Sequence, residues 1–149
     1  MRPASPDDAE ELARMHAELV GVDPTGPWRD RLADHLRQHL GGNRIAAFVV
    51  DDQAGSLAAC AIGVVHRGLP GPDHIGVFGQ IQTVVTEQPF RRRGYGRAVT
   101  EALVHWLSEQ GCTLLSLTAS DTGKPLYASL GFTPNPRAMR LLGKPYHRA

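Results

Sequence analysis

Apolar positions recur three or four residues apart in the first forty residues of the chain, and this repeat predicts two amphipathic helices. The first pattern runs from about 6 to 20, behind a Ser-Pro pair that suits a helix start. The second runs from Trp28 to Leu40 and stops at a Gly-Gly pair, which is typical of a helix end. Residues 21–27 between them are rich in helix breakers and predict a loop.

The pattern changes to strands in the middle of the chain. Two apolar runs, at 44–51 and 57–66, are joined by an Asp-Gln-Ala-Gly turn and therefore predict an antiparallel hairpin. A loop of glycine, proline and polar residues covers 67–74. A third strand is predicted over 77–86, because that segment is rich in β-branched residues.

Helical spacing returns after the third strand. Val99, Leu103 and Trp106 mark the buried side of a helix that is closed by Gly111. The remaining segments are predicted as a strand over 114–120, a short helix over 125–132 and a last strand over about 137–142. With a short first strand at 1–4, the order (β)ααβββαβαβ predicts a mixed α/β layer fold rather than a doubly wound one.

Composition bounds the function classes. A length of 149 residues with 42% hydrophobic content predicts one domain spanning 1–149. The net charge of +1 gives no reason to expect nucleic acid or a membrane surface as a partner. The chain lacks a signal-peptide pattern and any long apolar run, so we expect a soluble, cytoplasmic protein. In that setting Cys60 and Cys112 should be free thiols.

A basic, glycine-containing turn separates the third strand from the following helix. It reads Arg91-Arg92-Arg93-Gly94-Tyr95-Gly96-Arg97. The glycines allow close approach of a ligand, and the helix start offers unpaired N–H groups to an anion, so this turn predicts a phosphate-binding site. It is not a dinucleotide fingerprint, because Val99 stands where the third glycine is needed, and no Gly-Lys-Ser/Thr of a P-loop is present.

This turn and a downstream segment together resemble the GCN5-related N-acetyltransferase (GNAT) family. The family motif Arg/Gln-x-x-Gly-x-Gly/Ala is met by Arg91, Gly94 and Gly96, and the later Leu-Tyr-x-x-Leu-Gly-Phe motif is met over 126–132. The match covers about residues 77 to 142. It implies a GNAT-type mixed central sheet flanked by helices, with splayed fourth and fifth strands, and acetyl-CoA as the cosubstrate.

The resemblance also implies which residues bind acetyl-CoA and which one is catalytic. Tyr127 would donate a proton or a hydrogen bond to the departing CoA sulfur. Ser120 stands where many members have an asparagine that contacts the cofactor arm. The implied cofactor-binding residues are Val84, Val85, Thr86, Arg91, Arg92, Arg93, Gly94, Tyr95, Gly96, Arg97 and Ser120.

The sequence leaves the general base open. Many relatives place a carboxylate on the strand before the phosphate-binding turn, but here that strand carries Gln80 and Gln82, which are poor proton acceptors. Glu87, His74 or an ordered water are the alternatives. His35 and His39 are four residues apart on one helix, which is compatible with metal binding, but no third ligand is evident and we expect no metal.

The leading hypothesis is therefore an enzyme that transfers acetyl from acetyl-CoA to a primary amine by direct attack in a ternary complex. The resemblance favours a small-molecule amine as the acceptor. A protein or peptide N-acetyltransferase is the enzymatic alternative, and a non-catalytic acyl-CoA-binding sensor is the alternative from a different class. Relatives often dimerise, so a homodimer is also an expectation from the resemblance.

Overall fold

The computed structural model describes residues 1–21, 23 and 25–143. The chain divides into two compact units, Met1–Thr118 and Ala119–Ala149. No helix in the described part is long and apolar enough to cross a bilayer. The expected single domain over 1–149 stays a prediction.

The first unit contains most of the regular structure, in the order that the sequence predicts. Its helices are α1 (Ala9–Val20), α2 (Pro27–His39) and α3 (Tyr95–Glu109), and short 3₁₀ turns cover Pro6–Asp8 and Gln88–Phe90. Its strands are β1 (Arg2–Pro3), β2 (Ile45–Asp51), β3 (Leu57–Arg67), β4 (Val77–Thr86) and β5 (Leu114–Leu117).

These strands form one mixed sheet in the order β1-β2-β3-β4-β5. The first three pairs are antiparallel, whereas β5 lies parallel to β4. The parallel ladder is short, because it joins Phe78–Ile81 of β4 to Leu114–Leu117 and ends there. β4 continues to Thr86 without a β5 partner, so the two strands part after Ile81. This confirms the predicted mixed sheet and the splay between its fourth and fifth strands.

The helices cover both faces of the sheet. α1 and α2 pack on one face, where Leu12, Met15 and Leu36 join Val49 and Cys60 in a buried cluster. α3 packs on the other face and comes very close to the sheet, because an added Cβ at Gly63 of β3 would lie 3.0 Å from Leu103. Both Cys60 and Cys112 are buried free thiols, as predicted.

The second unit contains one helix, α4 (Lys124–Ser129), among its described residues. The chain leaves α4 through Gly131, whose φ of +96° is a conformation that favours glycine. Tyr127 and Phe132 stack edge to face across this turn, with ring centroids 6.0 Å apart. The predicted short helix and its glycine stop are confirmed.

Two predicted strands need correction. β5 ends at Leu117 rather than near residue 120. The last strand, expected over about 137–142, is not formed, and within the described residues no strand follows α4. A strand is stable only when a neighbour satisfies its N–H and C=O groups, and an apolar run supplies no neighbour by itself. Met139, at 96% exposure, and Leu141, at 94%, are accordingly almost fully exposed.

Candidate functional site

The turn between β4 and α3 has the backbone geometry of an anion site. Gly94 is the N-cap of α3 and has φ +81°, while Arg92 is the only described non-glycine residue with positive φ, at +64°. Gly94 makes no side-chain cap at this helix start. The N–H groups in the first turn of an α-helix have no partner within the helix, and the helix dipole makes their end positive. This turn is called the phosphate cradle below.

The arginines of the cradle add positive charge and are partly held in place. Arg91 donates from Nε to the backbone carbonyl of Thr86, at 3.1 Å, which ties it to the end of β4. Arg93 places its guanidinium 5.5 Å from the ring centre of Phe90. Arg97 pairs with Glu101 one turn further along α3. The four arginines at 91–93 and 97 are exposed, so their charge is accessible to a soluble polyphosphate.

The strand segment that leads into the cradle has one edge without a strand partner among the described residues, and this edge is called the open edge below. Val84, Val85 and Thr86 pair with β3 on one side, whereas β5 provides no partner on the other. Backbone groups on that open edge can hydrogen-bond an extended, amide-containing ligand as a sheet neighbour would. An open strand edge that ends at an anion site suits the pantetheine arm and pyrophosphate of CoA.

A cavity of about 200 Å³ lies in the first unit, between the α1–α2 pair and the sheet. Its polar lining is His16, His35, Arg44, Gln82 and Thr83, and leucine, isoleucine and valine side chains complete the wall. Among the described residues that line it, none is acidic. The cavity lining therefore combines apolar side chains with basic and neutral polar ones.

A β-bulge in β4 lies where the cavity meets the end of the β4–β5 ladder. Ile62 of β3 is opposite Thr83 and its neighbour Gly63 is opposite Ile81, so Gln82 is an extra residue in β4. Gln82 and Thr83 are also the first two β4 residues beyond the β5 ladder. Since both line the cavity, the cavity adjoins the open edge that suits the pantetheine arm.

His16 is the main functional candidate that the sequence analysis missed. Its Nδ1 lies 2.7 Å from the hydroxyl oxygen of Thr83, which is only 2% exposed. Burial lowers the pKa of His16 below its ordinary value of 6.5. The available signal was that His16 follows Leu12 by four residues, which puts a titratable ring on the apolar side of α1.

The other basic groups of the cavity are His35 and Arg44. Burial is the main cause that lowers the pKa of His35, and the charges of His39 and Arg44 lower it further. The rings of His35 and His39 lie 4.5 Å apart. The described residues contain no group of three or more potential metal-binding side chains.

The structure places the two side chains considered as a general base outside this cavity. Glu87 is in an ion pair with Arg14 of α1, at 2.7 Å. His74 lies in the loop before β4, with its ring tilted against that of Phe78 at 5.3 Å between centroids, and its Nδ1 accepts the N–H of Gly76 at 3.1 Å. Neither residue is among the described residues that line the cavity.

Ser120 and Tyr127 lie in the second unit, where their local surroundings are defined. Ser120 accepts the N–H of Gly123 on its hydroxyl oxygen, at 3.2 Å, and so caps the turn before α4. Burial raises the pKa of the Tyr127 phenol above its ordinary value of 10.0. Tyr127 therefore keeps its proton across the physiological range, as a proton donor must.

Comparisons with known proteins agree with this architecture. Residues 13–132 match the acetyltransferase (GNAT) family. A glucosamine 6-phosphate N-acetyltransferase of Trypanosoma brucei brucei is 35% identical over 63 residues, which are 42% of this chain and 43% of that protein. The matched segment thus spans less than half of either protein.

Solved structures share the fold over nearly the whole chain. A predicted acetyltransferase with acetyl-CoA from Clostridium acetobutylicum superposes with a TM-score of 0.83 and 21% identity, covering 95% of this chain and 94% of that one. A GCN5-related N-acetyltransferase from Ralstonia eutropha JMP134 gives a TM-score of 0.77 and 26% identity, with 95% and 96% covered. From the extent of the family match, the chain belongs to the acetyltransferase (GNAT) family.

Proposed function

We propose that this protein transfers the acetyl group of acetyl-CoA to the primary amine of a small molecule, by direct attack in a ternary complex. The observation that carries the proposal is the cavity beside the open edge of β4. The C-terminal end of that edge leads to the phosphate cradle. At its other end, Gln82 and Thr83 line the cavity. A cofactor on the edge and an amine in the cavity would thus meet without an enzyme nucleophile.

The chemistry needs few groups. The amine nitrogen attacks the thioester carbonyl carbon, the C–N bond forms and the C–S bond breaks. The nitrogen loses one proton and the CoA sulfur gains one. The cradle amides and Arg91 hold the pyrophosphate. Tyr127 supplies the proton to the sulfur, because its phenol is protonated at neutral pH and the reference pKa of a thiol is only about 8.5.

The charges around the cavity support a particular kind of acceptor. Arg44 and His35 line it without an acidic residue among the described lining, so a polycation would meet repulsion there. An amine that also carries a phosphate or carboxylate group would pair with Arg44. The likeness of residues in this chain to a glucosamine 6-phosphate N-acetyltransferase supports an acceptor of that chemical class.

The test is amine-dependent release of free CoA thiol, with calorimetric CoA binding on the same sample. The informative pair is glucosamine 6-phosphate and glucosamine, which differ only in the phosphate. We expect kcat/KM to be at least about tenfold higher for the phosphorylated amine, since one charge-assisted contact contributes about 1.5–3 kcal/mol. Arg44→Gln should remove most of that preference and leave CoA affinity unchanged.

Each other result has a definite meaning. Equal rates with both sugars, and no effect of Arg44→Gln, would reject the anionic acceptor while leaving the transferase in place. Turnover with short peptides alone would assign a peptide N-acetyltransferase. CoA binding without thiol release across sugars, amino acids, polyamines, aminoglycosides and peptides would favour a sensor. Absence of CoA binding would remove the function assigned to the cradle.

A further inference from the structure

His16 combines a fixed position, a titratable ring and access to the cavity. It lies in α1, and its Nδ1 is 2.7 Å from Oγ1 of Thr83 on β4. Thr83 is buried in the sheet, at 2% exposure, so its hydroxyl is a rigid partner for the ring. Both side chains line the cavity at the place where β4 and β5 part.

We propose that His16 is the proton acceptor of the transfer reaction and that Thr83 is the positioning residue that holds its ring. This inference rests on the proposed function. In the step it describes, the amine nitrogen forms a bond to the thioester carbonyl carbon and becomes positively charged. His16 takes a proton from that nitrogen, and the C–S bond breaks as the sulfur is protonated from another group, which leaves a neutral amide.

The Thr83 contact defines the tautomer that this role requires. A neutral imidazole has one N–H and one lone pair, and a partner on one nitrogen fixes the role of the other. In the proposed tautomer Nδ1 carries the ring proton and donates a hydrogen bond to Oγ1 of Thr83. Nε2 therefore keeps its lone pair for the incoming proton. The same contact restricts rotation of the ring, which keeps the accepting nitrogen at a constant position.

The electrostatics of the cavity keep His16 in its basic form. Burial lowers the pKa of His16 below 6.5, so the ring is mostly neutral at pH 7. The titratable and charged groups that face the cavity from neighbouring elements are His35 of α2 and Arg44 before β2, while β3 and β4 contribute only uncharged side chains.

The lining of the cavity also favours the acceptor in its reactive state. An ammonium group that enters it has a lowered pKa, because it loses water and meets no acidic residue among the described lining. The amine therefore enters more readily without its extra proton. Once it attacks, its nitrogen becomes far more acidic, and a neutral imidazole is then basic enough to accept the proton.

His35 is the nearest competitor for this role, and the geometry favours His16. His35 contacts the ring of His39 on its own helix, whereas His16 is bound to the strand that carries the reaction site. Gln82 is uncharged and has no useful basicity. His35 therefore provides a matched control within the same cavity.

The test compares His16→Asn with His35→Asn. An asparagine amide can keep a hydrogen bond to Thr83 but cannot accept the proton at Nε2. We expect His16→Asn to lower kcat by about 10²- to 10⁴-fold with unchanged CoA affinity. His35→Asn should change KM for the acceptor, because His35 lines the cavity, but it should lower kcat far less than His16→Asn does, because it removes no proton-transfer step.

The pH dependence of kcat separates a base from a structural residue. The base must be unprotonated, so wild-type kcat should rise with pH through the pKa of His16, which lies below 6.5, and be level above it. This limb should vanish in His16→Asn and persist in His35→Asn. Thr83→Val should lower kcat and shift the pH range over which kcat rises. Thr83→Ser should keep both kcat and this pH range close to wild type, since serine keeps the hydroxyl.

A measurement without substrate tests the tautomer directly. The ¹⁵N shifts of the His16 ring, assigned by their loss in His16→Asn, should show protonated Nδ1 and unprotonated Nε2 at pH 7. Protonated Nε2 would overturn the proposed arrangement, as would full turnover and an intact pH limb in His16→Asn. Wild-type protein that binds CoA but acetylates nothing would instead remove the proposed function itself, a result independent of the His16 variants.

Discussion

Arg14 of α1 reaches Glu87, the residue that follows β4, and the two side chains form an ion pair at 2.7 Å. Arg14 also pairs with Glu11 and Glu18 on its own helix. The helix that carries His16 is thereby attached to the end of the strand that carries Thr83. Glu87 accordingly connects structural elements near the candidate site, and this role differs from that of a catalytic base.

The consequence is a small functional effect of Glu87→Gln. We expect kcat to stay within about threefold of wild type, because proton transfer from the acceptor is assigned to His16. The loss of unfolding free energy should be ~1 kcal/mol or less, because the pair is partly exposed. Urea unfolding and steady-state kinetics measure the two effects.

Glu18→Gln is the control for that variant, because it removes a different partner of the same arginine. It should have a still smaller effect on stability, since Glu18 is 49% exposed. If Glu87→Gln alone slowed turnover by about two orders of magnitude and abolished the pH limb, the role of base would return to Glu87.

Tyr127→Phe tests the proton donor. The phenol is half-buried, and burial raises its pKa above 10.0, so the tyrosine remains protonated through neutral and moderately alkaline pH. Its removal should lower kcat by about 10²-fold or more, as expected for loss of a general acid. CoA affinity by calorimetry should stay within about threefold, because the proposed phosphate site is the cradle at 91–97.

The aromatic neighbour of Tyr127 provides the control. Phe132→Leu disturbs the edge-to-face ring pair but keeps the phenol hydroxyl. Phe132→Leu should lower the stability of the fold, whereas its effect on kcat should be much smaller than that of Tyr127→Phe. Equal kcat in wild type and Tyr127→Phe would refute the acid role, whereas similar losses in both variants would assign Tyr127 to packing.

The sequence predicted most of the fold because its local signals agree with the final packing. The helical spacing of 6–20, the glycine pair after Leu40 and the turn at 52–55 each predict an element that the structure contains. The prediction of a last strand over about 137–142 was wrong for a physical reason. Its apolar residues have strand character, but pairing depends on a neighbour, and local sequence contains no information about that neighbour.

The candidate site was predicted in part for a similar reason. The cradle is a continuous segment, so glycines and arginines at 91–97 indicate it directly. The cavity is assembled from α1, α2, β2, β3 and β4, and no short motif contains it. His16 and Thr83 are 67 residues apart in the chain, and only the packing of α1 on the sheet brings them within hydrogen-bonding distance.

Packing of α3 on the sheet leads to a prediction about Gly63. An added methyl group there would lie 3.0–3.2 Å from three carbons of Leu103, which is fully buried and cannot move easily. Gly63→Ala should therefore cost about 1–3 kcal/mol of unfolding free energy. In a Leu103→Ala background, the same methyl group enters vacated space and should cost much less.

A double-mutant cycle measured by urea unfolding quantifies this relationship. Leu103→Ala alone should cost about 2–5 kcal/mol through the cavity that it creates. The combined variant should lose less than the sum of the two single losses. Strict additivity would show that Gly63 is required for backbone reasons rather than for the close approach of α3.

Arg2 predicts an acid-dependent loss of stability. Its guanidinium donates hydrogen bonds to the carboxylates of Asp8 and Asp51, at 2.8–2.9 Å. These bonds connect β1 to the start of α1 and to the end of β2. These hydrogen bonds are the main cause that lowers the pKa of both carboxyl groups below 3.8. The stabilisation is present above pH 3.8 and is lost as pH falls through the lower folded-state values.

Melting curves between pH 2 and 7 provide the check. Arg2→Gln should melt a few degrees lower than wild type at pH 7, and the difference should shrink at the acid end, where both carboxylates are protonated. A constant difference at every pH would mean that Arg2 stabilises the fold by packing of its apolar stem instead.

Gly94 provides the sharpest test of the phosphate cradle. Its φ is +81°, and an added Cβ there would meet no atom within 4 Å, so alanine would be strained but not crowded. Gly55, in the turn between β2 and β3, has φ +84° and equally open space, but it lies outside the cradle. Each alanine variant should lose ~1–2 kcal/mol of stability from the left-handed conformation.

Only the cradle variants should lose CoA affinity. Gly94→Ala should weaken binding several-fold, since strain shifts the N–H groups that we propose as the pyrophosphate site. Gly94→Asp should abolish binding by adding negative charge at the helix start. Gly55→Ala and Gly55→Asp should bind CoA as wild type does. Calorimetry with CoA and with dephospho-CoA measures this, and normal affinity in folded Gly94→Asp would place the pyrophosphate away from α3.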